Sequence, residues 1–329
     1  MKRLLTRSDV LLPLAALVAA VAAFALVPVY SGQQLAVFNV FFTLQGFSNL
    51  ALITLGFGLV IIAGEFDLSI VGVYALSGVI AVDLGEHQPL VGLVAAVAIC
   101  TAFGTLQGLV IAKLRIPSMP VTLGTFIALL GLTLSLGHGD LSLTFNNVAA
   151  SLWFQSAVFH VLSPQSIITI VVFIVIGVLM SVTRWGREVR AIGSDRVSSR
   201  TAGVPVDRLL VGLFATSAAL GALGGVLVTF STASASTNPG TDPMIFGITG
   251  ALIGGVSLRG GRGTVAGMFA GALVIAILQQ IFEITSYAGY ITEFIFGAAL
   301  FVVVAVDAPG LRASVARVRS RRNVQPSSR

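Results

Sequence analysis

Ten stretches of predominantly apolar residues divide this chain, at about 10–30, 49–64, 70–85, 89–112, 117–137, 164–183, 208–231, 244–258, 264–283 and 290–307. Most approach the roughly 20 residues a helix needs to cross a bilayer. Hydrocarbon offers the backbone no partner, so only helices and closed barrels span it. The alternation of apolar and polar residues that barrel strands require is absent here. The fold class is therefore an all-α polytopic membrane protein with about ten transmembrane helices. Composition agrees: 10% of the 329 residues are charged and 56% hydrophobic, against about 25% charge in soluble domains.

The basic residues set the orientation. Lys2, Arg3 and Arg7 precede the first span, Lys113 and Arg115 follow the fourth, and Arg259 and Arg262 follow the eighth. Six arginines lie in 184–208 and six in 308–329. With ten spans and both termini inside, all nineteen Lys and Arg fall on one face, which is the positive-inside pattern taken to completion. The expected organisation is a cytoplasmic N-terminus at 1–9, a transmembrane domain at 10–307 and a basic cytoplasmic tail at 308–329. The first apolar run lacks a clean small-x-small cleavage site, so it reads as a span rather than a signal peptide. Leu35–Ser48 is mixed in character and is expected to lie in part at the outer surface. Trp153, in the less apolar segment 138–163, suits an interfacial aromatic belt. The net charge of +6 follows from this orientation and carries no sign of nucleic-acid binding; the only bulk partner implied is membrane lipid.

The longest charged interior segment is 184–208, with six arginines and three acids between two apolar spans. A charge at mid-bilayer costs about 2.5–3.5 kcal/mol on insertion scales, so this segment stands in water. It reads either as a docking handle for a soluble partner or as a solvated topology anchor.

Chemistry of other kinds finds little support. No Gly-x4-Gly-Lys-Ser/Thr loop occurs, so ATP, if used, binds another chain. His87, His138 and His160 are scattered, and Cys100 is the only cysteine, which excludes an intramolecular disulfide and a cysteine metal cluster. No catalytic or metal-ligating set is expected. Acids are sparse within the spans, which weakens an ion-coupled carrier; Glu65, Asp67, Glu283 and Glu293 are the ones placed to enter a pathway. Asn49, Thr54, Gln107, Thr122 and Thr125, with Ser69 beside Asp67, are polar groups on apolar spans. Each is a candidate for the substrate pathway or for interhelical hydrogen bonding. Glycine pairs four residues apart (Gly104/Gly108, Gly221/Gly225, Gly250/Gly254, Gly267/Gly271) mark close helix crossings.

Four segments carry a resemblance. The stretch from Leu55 to Ser69, ending Gly64-Glu65-Phe66-Asp67-Leu68-Ser69, is similar to the signature hairpin of bacterial ABC sugar-uptake permeases of the ribose type. Those usually read Thr-Gly-Gly-Ile-Asp-Leu-Ser-Val-Gly, so Glu65 and Phe66 depart from the pattern, as do Ile70 and Val71. Ile116-Pro117 with Val121 to Thr125 resembles a second motif of that family. Gly186 to Ser194 followed by Thr201-Ala202-Gly203-Val204 resembles its ATPase-coupling loop, and Ile253 to Thr264 a fourth motif. The four are collinear over roughly 50–307.

The resemblance implies a permease subunit of a binding-protein-dependent importer in the bacterial inner membrane, moving a sugar or sugar-like solute. It implies partners: cytoplasmic ATPase subunits that carry ATP and Mg, a second permease in a homo- or heterodimer, and an extracytoplasmic solute-binding protein. This chain itself would bind no cofactor. It also makes 184–208 the coupling loop, through Gly186, Arg187, Arg190, Ala191, Ile192, Gly193, Ser194, Asp195, Arg196, Ala202 and Gly203. Arg187, Arg190 and Arg196 are then expected to pair with acids of the ATPase. The competing classes are an ion-coupled secondary transporter and a membrane assembly protein without transport.

Overall fold

The computed structural model describes residues 7–307 apart from 33–34 and 287–288. The expectations for residues 1–6 and for the tail 308–329 lie outside the described residues. In chain order the elements are α1 (Arg7–Ala25), α2 (Val27–Ser31), α3 (Val37–Ile62), α4 (Ser69–Gly85), α5 (Pro89–Leu114), α6 (Ser118–Leu136), β1 (Ser142–Thr144), α7 (Val148–Gln155) and α8 (Pro164–Val182). They continue with α9 (Arg184–Ser194), α10 (Arg196–Thr201), α11 (Val206–Thr232), β2 (Ser234–Ser236), α12 (Asp242–Ile253), α13 (Val265–Ile284) and α14 (Gly289–Asp307).

Seven of these helices, α1, α3, α5, α6, α8, α11 and α13, are long and apolar enough to cross a membrane by length and composition. In α1 that stretch runs on through α2 to Val29. Three shorter apolar helices, α4, α12 and α14, stand where the remaining spans were expected. The protein is thus a helical, polytopic membrane protein whose only strands among the described residues form one small antiparallel pair, with Ser142 opposite Ser236.

Helix α3 is the axis. It packs against α4, α8, α11, α12 and α13, and every residue from Ala51 to Ala63 is buried. It also begins earlier than the polar content of 35–48 suggested. Asn39 accepts the Ala36 N–H at 2.8 Å and Thr43 donates to the Asn39 carbonyl at 2.8 Å. The polar side chains are satisfied locally, so the helix enters from Val37 and buries Phe41 and Phe47. Around this axis the outer helices turn apolar side chains outward: Leu106, Ile127 and Ile174 are each about three-fifths exposed, as a lipid-facing belt requires.

Lipid tails are as apolar as leucine, so burial alone does not hold such helices together; close packing does. The spaced glycines supply it within one chain. A Cβ on Gly104 would stand 2.6 Å from the Phe214 carbonyl, seating α5 on α11. One on Gly225 would stand 2.1 Å from the Tyr74 carbonyl, seating α11 on α4. Gly267 and Gly271 meet the Gly254 and Gly250 carbonyls at 2.1 and 2.0 Å in the same sense, seating α13 on α12.

The molecule has two ends. One gathers the breaks at 63–68, 115–117, 183–205 and 254–264: the Gly261 N–H donates to the Ile62 carbonyl at 2.7 Å, and Arg196 pairs with Glu65. The other gathers 86–88, 137–163 and 233–241: Asn147 donates to the Glu86 carbonyl at 2.9 Å, and the Phe145 N–H to the Ala233 carbonyl at 2.9 Å. Trp153, on α7 at this second end, is exposed.

Candidate functional site: a coupling joint and a polar chamber

The segment 184–208 folds as two short helices rather than an irregular loop. Helix α9 is amphipathic and buries Gly186, Val189 and Ile192 against the membrane helices. Its arginines are engaged within the chain. Arg190 donates to the Met180 and Gly186 carbonyls at 2.9 and 3.3 Å, closing the corner after α8; half-burial pushes its guanidinium pKa down. Arg187 donates to the Val182 carbonyl at 3.1 Å, and Arg196 reaches Glu65 at 2.7 Å. These are intrachain partners where the sequence reading expected acids of an ATPase. Asp195 caps α10 by accepting the Val197 and Ser198 N–H groups at 2.9 and 3.0 Å, an N-cap arrangement. Hydrogen bonding from Ser198 holds its carboxyl below the usual range. Of the coupling candidates, Arg187, Ala191, Ser194, Asp195, Ala202 and Gly203 are exposed, Arg190, Gly193 and Arg196 half-buried, and Gly186 and Ile192 buried.

Beneath α9 three distant breaks meet backbone to backbone. Gly193 has no room for a side chain: a Cβ would stand 1.9 Å from the Ile62 carbonyl and 2.6 Å from the Gly261 nitrogen. A Cβ on Gly260, whose φ is +77°, would lie 2.7 Å from the Gly193 carbonyl and 3.0 Å from the Gly64 Cα. The break after α3, the segment 184–208 and the 254–264 break are thus one joint.

At the opposite end lies a cavity of about 1060 Å³. Its wall is formed by Gln45 and Asn49 of α3, Tyr74 of α4, Thr229 and Thr232 of α11, Phe246 of α12, Gln280 and Glu283 of α13 and Glu293 of α14, with Asp242 and Gln155 at its edge. Among the described residues no Lys, Arg or His lines it. Amides, hydroxyls, carboxylates and aromatic faces can hold a small polar solute by hydrogen bonding and contact.

Among the polar, uncharged pathway candidates, Asn49 lines this cavity, where its Oδ1 also accepts from Gln165 Nε2 at 2.8 Å. Thr54 and Thr125 donate to the carbonyls of Leu50 and Val121, one turn back in their own helices. Thr122 reaches the Phe66 carbonyl at 3.4 Å, bracing the break after α3. Asp67, Ser69 and Gln107 form a sealed cluster: Ser69 Oγ donates to Asp67 Oδ1, and Gln107 Nε2 reaches Ser69 Oγ at 2.9 Å and Asp67 Oδ1 at 3.3 Å. Glu65 belongs to the joint. Glu283 and Glu293, which the sequence placed near a pathway, do line the cavity. Gln45, Gln155, Thr229 and Gln280 were missed. The Gln279-Gln280 pair inside an otherwise apolar span was the signal that pointed to them. Among the described residues no three His, Cys, Asp or Glu side chains gather as metal ligands would.

Residues 39–304 match the family model described as "Branched-chain amino acid transport system / permease component". Among curated proteins the chain is 31% identical to the ribose import permease protein RbsC of Haemophilus influenzae, over 88% of this chain and 90% of that one. It is 27% identical to RbsC of Escherichia coli K12, over 88% and 92%. It is 26% identical to the fructose import permease protein FrcC of Rhizobium meliloti, over 93% and 87%. No solved structure matches the chain. A family match spanning both the joint and the chamber, with relatives aligned over most of their length, identifies this chain as a member of the branched-chain amino acid transport system permease-component family, a multi-pass inner-membrane transport subunit rather than an enzyme.

Proposed function

We propose that this chain is the membrane-spanning permease of an ATP-driven importer for a monosaccharide or a sugar-like solute. The observation that carries the reading is the pairing of a polar chamber at one end with a glycine-packed coupling joint at the other, in a chain similar to ribose and fructose import permeases over most of its length. The chamber favours a sugar over the amino acid in the family's description. An amino acid's carboxylate asks for a cation, and none lines the cavity, whereas sugar hydroxyls suit its amides, hydroxyls and carboxylates.

In this reading the ten apolar helices all span, both termini are cytoplasmic, and the joint is the inner end. The membrane domain is 10–307, flanked by the cytoplasmic segment 1–9 and tail 308–329. The surface of α9 and α10 that carries Ala191, Ser194, Asp195, Ala202 and Gly203 receives the ATPase. Gly186, Ile192 and Gly193 carry its motion into the membrane, while Arg190 and Arg196 hold the two helices in place. Closure of the ATPase pair then rocks the helices by alternating access. ATP and Mg bind that separate chain. A second permease completes the pore, and an extracytoplasmic binding protein delivers solute to the chamber. Asn49 contacts solute directly; Thr54, Thr122, Thr125, Asp67, Ser69 and Gln107 hold the helices that frame its route.

The test is gentle purification of the tagged chain from its native membrane with mass spectrometry of what accompanies it. An ATPase should co-purify with the wild type and be lost when Arg190 and Gly193 are replaced together, with membrane insertion intact. Retained association in that variant overturns the coupling role of 184–208.

A further inference from the structure

Glu65 belongs to the joint, but its contacts reach beyond the glycine packing there. It sits in the break between α3 and α4 with only 8% of its surface exposed, and both carboxylate oxygens are engaged. One oxygen pairs with Arg196 Nη2 at 2.7 Å. The other accepts from Ser118 Oγ, and the same Ser118 oxygen accepts the Phe66 N–H at 3.0 Å. Arg196 is the first residue of α10 and Ser118 the first of α6. A single carboxylate therefore ties the tip of the coupling segment to the α3–α4 break and to the start of α6.

The tie spans a place where packing alone does not. Between α10 and the start of α6 lies a cavity of about 510 Å³, lined by Glu65, Arg115, Pro117, Arg196, Val197 and Arg200. Arg200 is already paired with Asp207. Among the described residues Glu65 is the only acid in the lining. Without its charge α10 would face α6 across an open gap walled by three guanidinium groups. Glu65 is the buried partner and Arg196 the half-exposed one; removing Arg196 leaves a buried carboxylate without its counter-charge, so the tie depends on both residues.

We infer that the Glu65–Arg196 ion pair is a transmission strut: Glu65 is a positioning residue that makes α6 follow α10. The glycine joint under α9 couples the ATPase-facing segment to α3 and to the 254–264 break. The strut extends that coupling to α6, to which α9 and α10 have no glycine-to-backbone contact. The inference rests on the importer reading only for what drives α10.

The experiment uses the whole chain in lipid nanodiscs with the ATPase that co-purifies with it, and MgATP with vanadate as the probe. Spin labels are placed at Thr201→Cys on α10 and Met119→Cys on α6, both exposed. Labelled chain is diluted into unlabelled chain so that only intrachain distances are read. Buried Cys100 is controlled by labelling the chain without added cysteines. The wild type should give one narrow distance, the same with and without trapped nucleotide. Glu65→Gln and Arg196→Gln should broaden it in both states and let it shift by several ångströms on trapping, with the ATPase still bound. The exchange Glu65→Arg with Arg196→Glu should narrow it again. Should the exchange fold poorly, Arg196→Lys, which keeps the charge, should stay close to wild type.

A Glu65→Gln distribution that superimposes on the wild type in both states would overturn the inference. So would a wild-type distance that shifts on trapping as far as the variant's, or an Arg196→Lys distribution as broad as that of Arg196→Gln. If no ATPase accompanies the wild-type chain, the importer reading fails instead. The nucleotide-free distances then still decide whether Glu65 holds α6 to α10.

Discussion

At the joint Gly193, Ile62 and Gly261 meet with no space for a methyl group, whereas the chamber at the other end leaves about 1060 Å³ open. The joint is surrounded by arginines, and most of them are spoken for by carbonyls or acids of the same chain. Among the described residues the chamber holds no basic group, and its acids Asp242, Glu283 and Glu293 are exposed. A tightly packed region transmits displacement because it cannot deform. An open one with solvated polar groups can accept and release a solute. On the proposed function, transmission belongs to one end and recognition to the other, and the contrast can be broken or sharpened by substitution at each.

The largest effect is expected at the joint. Gly193→Val should destabilise the chain by about 3 kcal/mol or more, since overpacking costs about 1–3 kcal/mol where neighbours can shift and here the neighbours are backbone. Thermal unfolding in detergent reads it. Gly131→Ala, on a face of α6 with nothing within 4 Å, should instead stabilise by about 0.5–1 kcal/mol, the helical penalty of glycine. Equal losses at the two sites would erase the contrast between packed joint and lipid-facing helix.

At the chamber the effect should fall on transport. Asn49→Leu removes an amide from the chamber wall and leaves Gln165 without that acceptor. Interhelical hydrogen bonds in membranes average about 0.6 kcal/mol, so the stability loss should be about that size, while uptake falls at least tenfold. Next, Glu283→Gln together with Glu293→Gln should alter the KM for uptake and leave the unfolding temperature within about 2 °C, because surface changes away from packed features usually stay within about 0.5 kcal/mol. A collapse in stability with unchanged uptake would move recognition elsewhere.

The smallest effect concerns the cap of α10. The Asp195 carboxyl has a lowered pKa in the folded chain. Its contribution is therefore present above the ordinary aspartate pKa and fades as pH falls through the lowered one. Protection of the 197–201 amides, taken as exchange relative to the intrinsic rate at each pH, should be high at neutral pH and fall in acid, and Asp195→Ala should be poorly protected at both. Exchange that ignores both changes would show that the cap does not hold the helix.

Much of this was legible in the residues themselves. The apolar segments mark the helices because hydrocarbon tolerates little else, and the arginine-rich stretch marks the end that stays wet. The start of α3 was misplaced because Asn39 and Gln45 look interfacial in one dimension; in the fold Asn39 caps its own helix and Gln45 faces the chamber. The sealed Asp67–Ser69–Gln107 cluster looks, in sequence, like a row of pathway groups. The chamber stayed hidden for the converse reason. Its residues come from helix ends that read as loop margins, and they become a surface only when α3, α4, α11, α13 and α14 are brought together. Likewise nothing local in Gly64, Gly193 or Gly260 says that three breaks nearly two hundred residues apart in sequence share one contact.

The central claim is that this chain moves solute only when a separate ATPase works on the joint. The most direct measurement is uptake of radiolabelled monosaccharides into proteoliposomes holding the chain with its co-purified ATPase and binding protein. The account predicts accumulation that needs ATP on the ATPase side, stops when the ATPase is omitted, and is indifferent to a proton or sodium gradient. Accumulation by the chain alone under an ion gradient would contradict it.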